Sequence, residues 1–146
     1  MSTTVIAITN QKGGVGKTTT AAALLSSLHS RGAKVLGVDL DPQGSLGFSL
    51  GLDIEGCTTI YDVFRGEREP EQAIAQTEHG DILPSNILLS AAELEFNRPG
   101  REFLLRTALS KVRDRYDFII IDTPPALNIL TVNAYVATDR LIIPMS

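Results

Sequence analysis

Ten consecutive residues, NQKGGVGKTT at positions 10–19, restrict the fold of this chain more than any other stretch. An apolar, β-branched run at 5–9 precedes them and reads as a buried strand. Over residues 18–31, Ala21, Leu24, Leu25 and Leu28 recur at helical spacing. A strand, a glycine-rich turn and a helix in that order make a cradle for phosphate. Gly13, Gly14 and Gly16 allow a backbone approach that a Cβ would block, and their N–H groups join the helix N-terminus in facing an anion. Lys17 adds a point charge for β/γ-phosphates, and the Thr18 hydroxyl is suited to ligating Mg²⁺.

The general P-loop pattern, G-x-x-x-x-G-K-[ST], asks for glycine at position 11, where this chain has Gln11. A second lysine, Lys12, instead opens the string KGGVGKT, which is the deviant Walker A motif and far more specific than a lone glycine-rich turn.

Further along, 34–39 forms a second apolar strand after Gly32, so strand–helix–strand predicts a right-handed βαβ unit and a parallel sheet. Asp39 and Asp41 close that strand beside the glycine-rich turn, at the edge where open α/β sheets bind ligands. This favours a catalytic or Mg²⁺-supporting role over a merely solvated strand end. The run at 118–122 is continuously apolar, as befits a strand buried on both faces, and it ends in Asp122, the expected second half of a phosphate site that holds Mg²⁺ through water.

Between these landmarks the pattern is weaker. Residues 45–56 read as irregular, 58–64 as a short helix capped by Thr58 or Thr59, and 71–76 as a helix after an exposed charged loop. A short strand is expected at 81–84, a helical turn or two at 90–96, and one longer helix at 99–115 with Phe103, Leu104, Ala108, Leu109 and Val112 inward. That helix carries Arg101, Arg106, Lys111, Arg113 and Arg115, which fit a solvated face better than a phosphate-contacting one. A helix at 127–137 and a last strand at 141–144 complete the pattern. That strand would lie at an open edge, or the chain would be the front part of something longer; the second is expected.

Composition excludes several classes. The 146 residues suffice for one domain, and a formal charge of −4 argues against a generally basic nucleic-acid surface. No apolar run approaches membrane-spanning length, and the first apolar stretch leads into the turn instead of forming a secretory signal. The single Cys57 cannot form an intrachain disulfide, which fits a reducing cytoplasm and an idle thiol. His29 and His79 lack metal-ligand partners at useful spacing and read as surface residues.

ITNQKGGVGKTT at 8–19, VDLDPQG at 38–44 and IIIDTPP at 119–125 together closely resemble the ParA/Soj chromosome- and plasmid-partitioning ATPases. The likeness continues through ILPS at 82–85 and ELE at 93–95. It implies an α/β fold, a mostly parallel sheet flanked by helices, of the P-loop NTPase type with the deviant Walker A (SIMIBI class). Residues 1–146 would be the N-terminal part, a little over half, of a single such ATPase domain. The resemblance implies ATP and Mg²⁺ as cofactors, with Lys12, Gly13, Gly14, Val15, Gly16, Lys17, Thr18 and Thr19 around the nucleotide. Lys12 would reach the nucleotide of a partner protomer, Lys17 would hold phosphate in cis, and Asp41 would position the attacking water. Thr18 would ligate the metal, supported through water by Asp39 and Asp122. It further implies a homodimer formed on ATP binding, non-specific DNA binding by the intact protein, a ParB-like stimulating partner, no membrane, and a cytoplasmic, nucleoid-associated location. The alternatives are a MinD-like cell-division ATPase, or a truncated non-catalytic nucleotide-binding module.

Overall fold

In the computed structural model, which describes residues 2–9, 17–53, 55–125 and 128–142, the sheet is built outward from its most apolar strand. That strand is β5 (Phe118–Asp122), flanked in parallel by β1 (Thr4–Ile8) and β2 (Val35–Asp39). Beyond β2 lie β4 (Gly80–Leu83) and then β3 (Ala75–Thr77); beyond β1 lies β6 (Arg140–Ile142). Among the described residues the order is β3-β4-β2-β5-β1-β6, and only the β3–β4 pair is antiparallel. The expected mostly parallel α/β sheet is therefore present.

Side chains alternate between two apolar layers, as the period of a strand requires. Ile6, Ile8, Ile82 and Ile120 point to one face, covered by α1 (Lys17–Ser30) through Ala21 and Leu25 and by α2 (Ser45–Ser49) through Leu46. Val5, Ala7, Leu36, Val38, Ile119 and Ile121 point to the other. That face is covered by α3 (Ile60–Phe64), α6 (Leu104–Ser110) and α7 (Ile129–Ala137), with Tyr61, Phe64, Leu105, Leu109, Leu130 and Ala134 in contact. Coverage on both faces is what makes β5 continuously apolar, with no polar alternation.

The sheet's two edges are finished differently. On the β1 side, side chains stand in for part of a strand: Asp139 Oδ2 accepts the Val5 N–H at 2.9 Å and the Thr138 hydroxyl accepts the Ala7 N–H at 3.0 Å. Backbone pairing with β6 is thereby left to Ile6–Ile8, and all three β6 residues remain exposed. On the other side, the β3–β4 hairpin turns at Thr77, whose hydroxyl donates to the Gly80 carbonyl at 2.7 Å and accepts the His79 N–H at 3.0 Å.

Gly80 closes this hairpin with φ +118°, and a Cβ there would lie 2.7 Å from Val35 Cγ2. Gly80→Ala is expected to destabilise the chain by about 2–4 kcal/mol, from the backbone conformation and the overlap together. A urea-unfolding midpoint equal to that of the parent would refute it.

Several sequence expectations need correction. Residues 45–49 are helical, because the Asp39 carboxylate accepts the Leu46 N–H (3.2 Å) inside the first turn. The helix expected at 71–76 is only α4 (Pro70–Ala73), and Ala75–Thr77 leaves it to become β3. The helix expected at 99–115 is divided: a 3₁₀ turn at Arg101–Phe103, then α6, then a 3₁₀ turn at Arg113–Arg115. Asn133 on α7 fixes the first break by accepting the Leu105 N–H at 2.9 Å. The Thr3 hydroxyl lies 2.7 Å from both the Arg113 and Tyr116 carbonyls, which fixes the second. Ala108, Leu109 and Val112 face inward as expected, but at the first break Leu105 is buried in place of Phe103, which is 43% exposed. The last helix begins at Ile129, with Asn128 as its cap, and of the expected final strand residues 143–144 lie outside the described residues. A short 3₁₀ turn (Ile87–Ala91) and α5 (Ala92–Glu95) account for the helical turns expected at 90–96.

Candidate functional site

Parallel strands carry their C-terminal ends to one edge of the sheet, and three chemically informative segments converge there. Asp39 and Asp122 end β2 and β5 as direct register partners, and Ile8, the last residue of β1, is the register partner of Asp122 on its other side. Both carboxylates are fully buried. The expected site residues Lys12, Gly13, Gly14, Val15 and Gly16 fall outside the described residues, in the connection from β1 to α1. Lys17, Thr18 and Thr19 form the first turn of α1.

Asp39 organises the turn that follows it. Its Oδ1 accepts the Asp41 N–H at 3.0 Å and its Oδ2 accepts the Leu46 N–H at 3.2 Å, so one carboxylate holds both ends of the segment. Gly44, with φ +70°, reverses the chain into α2. Asp41 is only partly buried; its Oδ1 accepts the Gln43 N–H at 3.0 Å and its carbonyl accepts the Gly44 N–H at 2.9 Å. The same carbonyl accepts the hydroxyl of the fully buried Ser85, which follows β4. Among the described residues, Asp41 Oδ2 has no hydrogen-bond partner.

The turn after Asp122 is tied to the neighbouring strands. The Thr123 hydroxyl donates to the Ile8 carbonyl at 2.8 Å, and the Leu40 N–H donates to the Asp122 carbonyl at 2.9 Å. Next to this turn, α7 begins under two caps. Asn128 Oδ1 accepts the Leu130 and Thr131 N–H groups, and Glu93 on α5 accepts the Ile129 N–H. Glu95, also on α5, accepts the Tyr61 hydroxyl at 2.8 Å and pairs with Arg65 at 3.3 Å, linking α5 to α3.

Paired acidic oxygens at strand ends suit a hard, oxygen-loving cation such as Mg²⁺, provided that phosphates and water complete its shell. Asp39 and Asp122 supply such oxygens, and no group of three or more His, Cys, Asp or Glu among the described residues forms an all-protein metal cage. Two acids at adjoining strand ends fit a cation whose remaining ligands are phosphate and water.

Other candidates are accounted for structurally. Of the basic residues expected on the 99–115 segment, Lys111 pairs with Glu69 at 2.9 Å, Arg115 with Glu71 at 3.6 Å, and Arg113 with Asp139 at 3.8 Å. A groove of about 510 Å³ runs past His29, Lys34, Asp81 and Tyr116, but at the opposite end of the sheet from Asp39 and Asp122. There the Tyr116 hydroxyl donates to Asp81 at 2.8 Å; burial, chiefly, and this bond raise the phenol's pKa well above its ordinary value. Cys57 is half-buried, with its thiol 3.1 Å from the Asp53 carbonyl. No helix among the described residues is long and apolar enough to cross a membrane.

Comparison with known proteins bears on the same site. Residues 3–146 match a family model described as an AAA domain. The chain is 45% identical over 147 residues to the sporulation initiation inhibitor protein Soj of Bacillus subtilis, covering 97% of this chain and 57% of that protein. It is 45% identical over 145 residues to the chromosome partitioning protein ParA of Myxococcus xanthus, covering 97% of this chain and 51% of that protein. Among solved structures, it superposes with a TM-score of 0.95 on a cobyrinic acid a,c-diamide synthase from Mycobacterium smegmatis with bound ADP and magnesium. That pair is 45% identical, with 99% of this chain and 60% of the other covered. The chain thus spans a little over half the length of these relatives.

Proposed function

This chain belongs to the AAA-domain family, among the ParA/Soj partitioning proteins, and from that premise we propose that it forms the nucleotide site of an ATP-driven partitioning switch. The observation that carries the reading is the pairing of Asp39 with Asp122 at the end of the sheet where the KGGVGKT connection leaves β1. A phosphate loop and two buried acids at one strand edge are the parts that phosphoryl transfer needs.

In this reading the backbone N–H groups of Gly13, Gly14, Val15 and Gly16 surround the phosphates. Lys17 neutralises the β/γ oxygens, and Thr18 and Thr19 begin the helix beneath them. Thr18, Asp39 and Asp122 are the residues that would hold Mg²⁺, the two acids through water, and the ion would supply charge to offset that of the phosphates. Asp41 orients a water through its second carboxylate oxygen. The water oxygen bonds to the γ-phosphorus as the bond to the β–γ bridging oxygen breaks. ADP and phosphate leave, and the water's protons pass to phosphate and solvent. Lys12 of a second protomer adds positive charge to the same phosphates, so turnover depends on ATP-driven dimerisation. The dimer would bind DNA non-specifically and answer to a ParB-like partner, in a cytoplasmic, nucleoid-associated setting.

The experiment is sedimentation of the protein with Mg²⁺-ATP, Mg²⁺-ADP or no nucleotide, followed by DNA retention. A dimer formed with ATP alone, which then retains DNA, is expected. A monomer that binds ATP at every concentration would sink the switch. The name of the Mycobacterium smegmatis protein supports a second reading, an ATP-dependent synthase acting on a carboxylic acid. That reading requires turnover that depends on the acid and ignores DNA.

A further inference from the structure

We propose that Ser85 is a positioning residue that holds Asp41 in line for hydrolysis; this rests on the role given to Asp41 above. β4 runs parallel to β2 with Val38 opposite Leu83, so Ser85 emerges level with the Asp41 turn. Its side chain is fully buried, and its hydroxyl donates to the Asp41 carbonyl.

The backbone on both sides of Ser85 is anchored. The Pro84 carbonyl accepts the Ile60 N–H at 2.8 Å, and Asn86 Nδ2 donates to the Thr59 hydroxyl at 3.2 Å. Thr59 is itself the cap of α3. Ser85 therefore connects Asp41 to a frame made of β4 and α3.

Leu40, just before the turn, is tied to β5 through the Asp122 carbonyl at 2.9 Å, and among the described residues the other bonds that shape the turn come from Asp39, Gln43 and Gly44, within the segment itself. They fix the shape of the turn and its root on β5, but not its place relative to β4. Without the Ser85 hydroxyl, the turn keeps its form and gains freedom to swing about the end of β2. A small displacement of a group that orients the attacking water slows the chemical step and leaves ground-state nucleotide binding alone.

The test compares the parent with Ser85→Ala, Asp41→Ala and the double variant. Hydrolysis at varied ATP is followed beside amide exchange. Ser85→Ala should slow hydrolysis about five- to tenfold, the rate equivalent of one buried hydrogen bond, with half-saturating ATP within about twofold of the parent. Acting through Asp41, it should add nothing to Asp41→Ala in the double variant. In the nucleotide-free chain, the Gln43 and Gly44 amides should exchange several-fold faster than in the parent, with β5 amides unchanged.

Parental hydrolysis and parental exchange in Ser85→Ala would overturn the proposal. So would a double variant slower than Asp41→Ala by the full Ser85→Ala factor. Loss of β5 protection would also overturn it, by making Ser85 a general folding determinant. If Asp41→Ala itself hydrolyses ATP at the parental rate, the role of Asp41 has failed, and the exchange result alone still decides whether Ser85 holds the turn. The exchange result also decides where hydrolysis is too slow to follow.

Discussion

Replacing Asp41 by alanine is expected to slow ATP hydrolysis by about 10²–10³-fold while leaving nucleotide affinity within a few-fold of the parent. The structure gives the reason for this split. Asp41 contributes its backbone N–H to Asp39 and its backbone carbonyl to Gly44 and Ser85, and alanine retains all of these. Only the Oδ1 bond to the Gln43 N–H is lost from the turn, together with the second oxygen that would meet water. The residues proposed to bind phosphate lie on a different segment of the sequence, between β1 and α1. Single-turnover hydrolysis and calorimetry in parallel check the outcome. A parental rate would remove Asp41 from the chemistry, whereas loss of both rate and affinity would make it part of the binding site.

The second large effect is on binding. Lys17 is the first residue of α1, and Lys17→Ala, which would remove its proposed charge-assisted contact to phosphate, should weaken Mg²⁺-ATP binding by about 10²-fold. The helix should persist, because alanine is the best helix former and α1 is held by Ala21 and Leu25 against the sheet. Circular dichroism of the variant should therefore match the parent while its calorimetric titration goes flat at micromolar nucleotide. Undiminished binding would show that the glycine-rich segment is not where the phosphates sit.

Much of this was legible in the residues. β1, β2 and β5 declared themselves because strands covered on both faces must be apolar throughout, and each ends where the apolar run stops. Asp39 and Asp122 stood out as acids terminating apolar runs, and they do end adjacent strands side by side; the hold of Asp39 on the Asp41 and Leu46 N–H groups was not legible. β3 was not legible. Ala75, Gln76 and Thr77 sit on a half-exposed edge, carry weak strand preference, and continue smoothly from a helical pattern. The 99–115 segment misled for a different reason: its breaks come from Thr3 and Asn133, residues far away in sequence that claim its backbone groups. α2 depends on the carboxylate of Asp39, seven residues before Leu46, so propensity within the helix could not reveal it. Ser85 was visible as a letter but carried no chemical signal, since its contact with Asp41 exists only once β4 lies beside β2.

The placement of β1 inside the sheet has a consequence for the protein's synthesis. Its neighbours, β5 and β6, leave the ribosome more than a hundred residues after β1 does. Until then the first strand has neither of the strand partners it has in the folded sheet. During the seconds that elongation over that distance takes, the nascent chain carries the proposed phosphate-binding sequence without the strand that sets Asp122 beside Asp39. Under the proposed function, competence for nucleotide would therefore wait at least until Phe118–Asp122 pairs with β1 and β2 and brings Asp122 beside Asp39.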